Sequence, residues 1–214
     1  MSLSIAYKLT PIYTILSIYA HITSNNFLFI SFLNLNYYIF KLFLYYTTLK
    51  ITYNKDIYKD FINNSRQNHK IQQLLSYNIY DYLTTTVISI HDNDYPMITH
   101  HIITSLFLYL VKQTDYHHIT LLTLFLFNIT SPFLLFARVF NAYDYNYLSI
   151  ISYFLFTNVF FLCRILYTTF ILYKTIFKMK DKKYYYRGHF VALYIYFLQF
   201  YWMHLIISFY LKMI

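Results

Sequence analysis

The sequence predicts an all-α, multi-pass membrane protein, a bundle of six or seven transmembrane helices. Of its 214 residues, 58% are hydrophobic and 12% are charged, whereas a soluble domain carries about twice that charged fraction. The apolar residues are concentrated in long segments, and about 20 such residues allow a helix to cross the hydrocarbon core. The polar residues gather in a few linkers between these segments. Together the three observations exclude an ordinary soluble domain.

Seven segments are apolar enough to form the helices of this bundle. The first, 5–22, is short and lacks the small-residue cleavage site of a secretory signal, so we interpret it as a retained helix. The other six are 27–49, 72–90, 97–113, 118–141, 147–173 and 189–212. Pro132 lies within the fifth segment and predicts a kink, because proline removes a backbone hydrogen bond. No internal repeat divides the chain, so residues 1–214 are predicted to form a single domain.

The net charge of +9 is unevenly distributed along the chain. Basic residues gather in the linkers 50–70 and 174–187, which seven helices would place on the same side of the membrane. The positive-inside rule makes that side cytoplasmic. This distribution favours orientation and contact with anionic lipids over nucleic-acid binding, for which the sequence has no module. The expected partners are membrane lipids, and a homo- or hetero-oligomer in the membrane remains open.

A few ionisable residues lie inside the predicted helices, where such side chains usually face the protein interior or a water-filled cavity. They are Lys41, Asp81, His100, His101, Arg138, Arg164 and His204. One hypothesis pairs Asp81 with Arg138 or Arg164. Another has Asp81 orient a ring nitrogen of His100 or His101. The alternative to both is an interhelical ion pair with no role beyond structure.

The adjacent residues His100 and His101 are the most informative pair, because imidazole is costly to hold among hydrocarbon groups. Consecutive residues of a helix point about 100° apart, so only one of the two rings can face a central pocket squarely. That ring could act as a general base toward an amine or a hydroxyl group, since histidine titrates near neutrality. The alternative is that both rings only hold helices together.

The sequence predicts no metal site and no cofactor. Membrane di-iron enzymes use several histidine clusters of the HxxxH and HxxHH types, and the chain contains none. The second histidine pair, His117 and His118, lies beside a short turn and is interpreted as interfacial. Cys163 is the single cysteine of the chain, which excludes an internal disulfide framework.

Four stretches taken together resemble the TLC domain family (TRAM, LAG1 and CLN8 homology). They are 76–81 ending at Asp81, then Asp94 followed six positions later by His100 and His101, then 128–133 with Ser131 and Pro132, then 159–164 ending at Arg164. The core of the resemblance covers 72–170. Asn128 stands where the family often has an acidic residue, and Arg138 comes one residue later than the family's arginine.

The resemblance implies roles for these residues and for the protein. His100 and His101 would be catalytic in an enzyme, and the headgroup-binding or supporting residues would be Asp81, Asp94, Ser131, Pro132, Arg138 and Arg164. The chain lacks the acidic signature of the family's ceramide synthases and is similar to the small non-synthase members. Those members imply lipid binding or handling that influences lipid homeostasis in the endoplasmic reticulum membrane.

The alternative implied by the family is an N-acyltransferase of the ceramide synthase type. Such an enzyme would move a fatty acyl group from acyl-CoA to a sphingoid base. His100 or His101 would be the general base, and acyl-CoA would be the co-substrate.

Overall fold

The computed structural model describes residues 3–23, 26–52, 69–113, 117–178 and 182–213, with their side chains except at 3–10, 17, 175–178, 182–189 and 213. This part of the chain is helical apart from short turns, which confirms the predicted all-α class. Its helices α1 to α5 are Leu3–Thr23, Phe27–Thr52, His69–His91, Tyr95–Lys112 and His117–Ala142, and α7 is Lys182–Met213. Helix α6 consists of Asn146–Phe160, a π-helical turn Phe161–Leu166, and Tyr167–Lys178.

Four stretches are long and apolar enough to cross a membrane, judged by length and composition. They are Phe27–Thr52, His117–Ala142, Asn146–Lys174 and Phe190–Lys212. They correspond to four of the seven predicted segments and indicate an integral membrane protein. The other three predicted segments are also helical, as α1, α3 and α4, but they fall below that threshold.

Helix α3 falls short of the threshold because polar residues occupy much of its buried face. The buried residues follow a helical spacing and change from apolar to polar along the helix: Ile71, Leu74, Leu75, Asn78, Asp81, Thr86 and Ser89. Leu83, Val87 and Ile90 are exposed on the other side. Apolar side chains lose little by facing lipid, whereas polar groups need partners inside the protein. The polar residues of α3 therefore point into the bundle.

The seven helices of the described chain pack in a closed circuit. Helix α1 contacts α2 and α3, α2 contacts α5, α5 contacts α6, α6 contacts α7, α7 contacts α4, and α4 contacts α3. Helix α5 also contacts α3 and α4. This arrangement brings residues from the middle of sequence-distant helices close together.

Two apolar clusters hold the circuit together. The first joins α2, α3, α4 and α5 through Leu44, Tyr45, Ile71, Leu74, Leu75, Leu108, Val111, Leu121 and Leu124. The second joins α5 and α6 through Ala137, Tyr153, Phe156, Phe160 and Ile165, and Trp202 of α7 packs against it. On α5, residues 127–130 lie between the two clusters, and this is the level at which polar side chains meet.

The turn between α3 and α4 places the histidine pair. Asn93 adopts a left-handed conformation with φ 56. The Asp94 carboxylate then accepts a hydrogen bond from the Met97 amide at 3.1 Å and caps α4. Pro96 lies in the first turn, where its missing N–H leaves no bond unmade. Helix α4 therefore starts at a defined residue, and this fixes where His100 and His101 lie.

Two predictions from the sequence are not tested by these observations, namely the kink at Pro132 and the orientation in the membrane. Helix α5 runs from His117 through Pro132 to Ala142, and the kink predicted at this proline stays a prediction. Most of the first basic linker (53–68) and part of the second (179–181) fall outside the described residues. The predicted orientation in the membrane therefore also stays a prediction.

Candidate functional site

Asp81 is the centre of a buried polar network that joins α1, α2 and α3. Its Oδ2 accepts a hydrogen bond from Lys41 Nζ at 2.7 Å. Its Oδ1 accepts from the Thr14 hydroxyl at 2.9 Å and from the Tyr37 hydroxyl. The carboxylate is thus satisfied by one cation and two hydroxyl groups, which a buried charge requires.

This network corrects the hypothesis that Asp81 pairs with Arg138 or Arg164. The salt-bridge partner of Asp81 is Lys41, and both side chains are 6% exposed. The reason is the packing order. Side chains of α2 and α3 meet in the first apolar cluster, and Lys41 of α2 reaches Asp81, whereas Arg164 belongs to α6, which contacts α5 and α7. The same contacts occupy Asp81 without a histidine, so the hypothesis that it orients a histidine ring is also wrong.

Tyr82 links the ion pair to the histidines. Lys41 Nζ lies 5.7 Å from the centroid of the Tyr82 ring, within cation–π range. The Tyr82 ring in turn lies 6.0 Å from the His100 ring and 5.6 Å from the His101 ring, between centroids. Polar and aromatic groups therefore form a continuous line from α2 through α3 to α4.

His100 and His101 face different neighbours, as the rotation between consecutive helical residues requires. The His100 ring is buried, its Nδ1 lies 3.3 Å from the Thr104 hydroxyl, and its plane meets the Trp202 ring edge-on at 4.6 Å between centroids. The His101 ring is half-buried, with Nδ1 3.5 Å from the Thr85 hydroxyl. The two ring centroids are 5.7 Å apart. His101 is the more accessible of the two imidazoles.

Arg164 lies in the π-helical turn of α6, and π-turns are frequent at functional sites. Its Nε donates to the Thr130 hydroxyl at 3.0 Å, and its Nη2 donates to the Phe127 carbonyl at 2.8 Å. Its Nη1 makes a longer contact of 3.4 Å with Gln199 Oε1 on α7. Each of these partners is neutral.

Aromatic rings enclose the guanidinium group of Arg164. Its Cζ lies 5.1 Å from the centroids of both the Phe127 and the Phe160 rings. Trp202, which touches His100, comes less than a full turn after Gln199 on α7. The arginine and the histidine pair therefore belong to one polar cluster, which we call the Arg164–His100 cluster: Tyr82, His100, His101, Thr130, Arg164, Gln199 and Trp202.

The remaining predicted residues lie around this cluster rather than in it. Asp94 is exposed and acts as the N-cap of α4. Ser131 and Pro132 are half-buried and directly follow Thr130, which is the residue of that stretch that contacts Arg164. Arg138 is exposed.

Sequence reasoning missed several residues of the network and the cluster. Lys41 was recognised only as an ionisable residue inside a helix, although its position four residues after Tyr37 signals one shared helix face. Thr130, Gln199 and Trp202 were missed because the search was for ionisable residues inside apolar segments, and none of these three side chains is ionisable at neutral pH.

The comparisons with known proteins identify one family. Residues 8–208 match the family model described as the TLC domain. This match includes the whole of 72–170, the stretch that carries the resemblance in the sequence. No curated protein and no solved structure matches the chain.

Proposed function

The chain belongs to the TLC domain family, and on this premise we propose that it binds membrane lipids through the Arg164–His100 cluster and so influences membrane lipid composition. The proposed ligand is an amphiphile whose headgroup carries negative charge. Its headgroup would meet Arg164, and its acyl chains would lie along the aromatic side chains of α5, α6 and α7. The proposed location is the endoplasmic reticulum membrane.

The observation that carries this proposal is a half-buried cation whose hydrogen-bond partners are neutral. Arg164 is bonded to a hydroxyl, a backbone carbonyl and an amide oxygen, and no carboxylate of the described residues forms a salt bridge with it. The contrast is Lys41, whose charge is balanced by Asp81 at 2.7 Å. Arginine stays charged in proteins, so the charge of Arg164 is left without a balancing anion.

A lipid phosphate or carboxylate supplies the negative charge that is missing beside Arg164. An uncompensated charge is costly in a membrane interior, and an anion brought close to it lowers that cost. The planar guanidinium group binds carboxylates and phosphates through two parallel hydrogen bonds. Three of its five N–H groups are accounted for by Thr130, Phe127 and Gln199. The other two are the donors we assign to the headgroup.

The test measures lipid binding by native mass spectrometry of the purified full-length protein. The protein in detergent is incubated with phosphatidic acid or with phosphatidylcholine. We expect preferential binding of phosphatidic acid, and Arg164→Gln should weaken it about tenfold or more, because a hydrogen bond to a charged group contributes about 1.5–3 kcal/mol. Trp202 is the single tryptophan of the chain, so its fluorescence gives a second readout of binding at this cluster.

Arg138→Gln is the matched control, because it removes the same charge from an exposed position of α5. It should leave phosphatidic acid binding unchanged. Arg164→Lys, which keeps the charge and loses the planar fork, should fall between wild type and Arg164→Gln. Equal binding by wild type and a folded Arg164→Gln variant, or equal losses in Arg164→Gln and Arg138→Gln, would contradict the proposal.

An acyltransferase is the second candidate, and the histidine pair favours it. Two imidazole rings lie 5.7 Å apart in the same cluster as the half-buried Arg164, and the more accessible His101 could accept a proton from an amine. The amine nitrogen would attack the thioester carbonyl of acyl-CoA, the C–S bond would break, and the free thiol of coenzyme A would leave. Purified protein given labelled acyl-CoA and a sphingoid base should then form an amide, and His101→Ala should abolish it. If no amide forms while anionic lipid is still bound, the binding function stands and N-acyl transfer between these two substrates is excluded.

A further inference from the structure

A second cluster of side chains with metal-ligand chemistry lies away from the Arg164–His100 cluster, at the C-terminal ends of α1 and α3. It consists of His21, His91 and Asp92, and one ligand atom from each residue lies within 4.8 Å of the others. His21 Nε2 lies 3.1 Å from Asp92 Oδ2, and His91 Nδ1 lies 3.0 Å from Asp92 Oδ1. His21 and Asp92 are separated by 71 positions in the sequence. The fold, not the sequence, therefore brings the three together.

Hydrogen bonds fix both helices that carry these ligands. Helix α1 is attached to α3 by the hydrogen bond between Thr14 and Asp81, and His21 lies about two turns further along α1. On α3, the amide of Asp92 donates to the Ile88 carbonyl at 2.9 Å and continues the helical pattern past His91. The ligands thus project from two docked helices, and little ordering is left to be done when an ion binds.

We propose that His21, His91 and Asp92 form a binding site for a divalent transition metal ion of the Zn²⁺ class, which clamps α1 to α3. Neutral imidazole nitrogens and a carboxylate oxygen are common zinc ligands. At zinc–ligand distances of 2.0–2.1 Å, tetrahedral ligand atoms lie roughly 3.3 Å apart. Measured from the shared atom Asp92 Oδ1, His91 Nδ1 lies 3.0 Å away and His21 Nε2 lies 3.2 Å away, and both separations are already close to that value. Three protein ligands leave a fourth position for water.

Charge and exposure agree with this assignment. The side chains of His21, His91 and Asp92 are 28%, 56% and 43% exposed, so an ion can reach them from solvent. The Asp92 carboxylate supplies a negatively charged oxygen ligand, which offsets part of the charge of the ion. A hard cation such as Mg²⁺ prefers oxygen ligands and fits two imidazoles poorly.

The experiment uses the full-length protein, purified without a histidine tag, with ZnCl₂ as the probe. Equilibrium dialysis followed by elemental analysis gives the zinc content, and the melting temperature is recorded with and without zinc. We expect one zinc ion per chain and a melting temperature that rises with zinc, because an ion that binds only the folded state stabilises it. Loss of one ligand in His21→Ala or Asp92→Asn should weaken zinc binding by more than the roughly 10–100-fold that loss of an outer-shell partner costs.

His69→Ala is the matched control, because His69 is an exposed histidine at the other end of α3. It should bind zinc like wild type. His91→Ala, at the most exposed of the three ligands, provides a variant in which the packing of α1 is least disturbed. Zinc binding retained in a folded His91→Ala variant and in Asp92→Asn, equal effects of Mg²⁺ and Zn²⁺, or no zinc bound by wild type would each overturn the proposal. None of these outcomes bears on lipid binding at Arg164.

Discussion

Lys41 Nζ lies 2.7 Å from Asp81 Oδ2, and this buried ion pair joins α2 to α3. The pair occupies the carboxylate that Arg164 would otherwise have as a candidate anion. Asp81 is the single acidic residue of α3, and its carboxylate forms the salt bridge with Lys41. Arg164 therefore keeps neutral partners and becomes the position at which we place an anionic headgroup.

Breaking the ion pair on one side should destabilise the protein strongly. In Lys41→Met the Asp81 carboxylate stays buried without a cation, which typically costs about 3–5 kcal/mol. The double variant Lys41→Met with Asp81→Leu should recover much of this loss, because no charge remains buried. Chemical unfolding in detergent measures the difference. Lys50→Met, which removes an exposed lysine of the same helix, is the control. If Lys41→Met is as mild as Lys50→Met, the buried pair is not what holds α2 to α3.

Thr130→Val should affect both stability and lipid binding. The hydroxyl accepts the hydrogen bond from Arg164 Nε at 3.0 Å, and leaving this half-buried donor unsatisfied should cost about 1 kcal/mol, the low end of the range for a buried group. The freed guanidinium should also hold a phosphate headgroup less tightly, because it is no longer fixed in orientation. Native mass spectrometry and thermal unfolding measure the two effects. Thr123→Val is matched to it, since the Thr123 hydroxyl donates to the Ile119 carbonyl of its own helix. Equal behaviour of the two variants would contradict the role of Thr130.

Asp94→Ala should loosen the start of α4. The carboxylate accepts from the Met97 amide at 3.1 Å, and loss of an N-cap side chain costs about 0.5–2 kcal/mol. Asp94→Ser keeps an oxygen that can accept the same bond, so its melting temperature should stay close to that of wild type. A melting temperature for Asp94→Ser as low as that for Asp94→Ala would show that Asp94 acts through its charge and not as a cap.

Replacing Asn93 with glycine should change the stability little, whereas replacing it with valine should lower the stability. Its φ of 56 is a left-handed value that glycine adopts without strain and a β-branched residue resists. We expect Asn93→Val to lower the unfolding free energy by about 1–3 kcal/mol and Asn93→Gly to change it little. Thermal unfolding distinguishes the two. Asn141→Val, at an exposed helical position, reports the effect of valine without the left-handed backbone. If Asn93→Val is no worse than Asn141→Val, the turn tolerates a different backbone conformation.

The helices could be predicted because each leaves a local signal. A run of about 20 apolar residues indicates a membrane-spanning helix, and all seven predicted segments are helical in the described chain. The four stretches that resemble the TLC family are also short sequence patterns, which can be recognised without knowing the fold. Polar residues such as Asp81 and Arg164 could be identified because ionisable groups are rare inside such segments.

The partners of those residues could not be predicted, because they depend on which helices are neighbours. Asp81 has two arginines and one lysine as candidate cations in the sequence, and the packing of α2 on the bundle selects Lys41. A shift of one position along a helix also changes which residue makes a given contact. Thr130 contacts Arg164 while Ser131, about 100° further round, was the residue singled out from the sequence. His21 and Asp92 are joined by the docking of α1, which no sequence motif records.

The inward polar face of α3 has a consequence for how the protein is made. A segment with so many polar groups inserts poorly into a bilayer as an isolated span, because each unsatisfied group is costly there. Helix α2 is one of the four stretches apolar enough to cross by itself, and it carries Lys41. We therefore expect the translocon to release α3 into lipid together with α2, so that the lysine neutralises the aspartate before either is exposed to acyl chains. Ribosome-nascent chains that end after α3 should integrate fully with Lys41 present and incompletely with Lys41→Met.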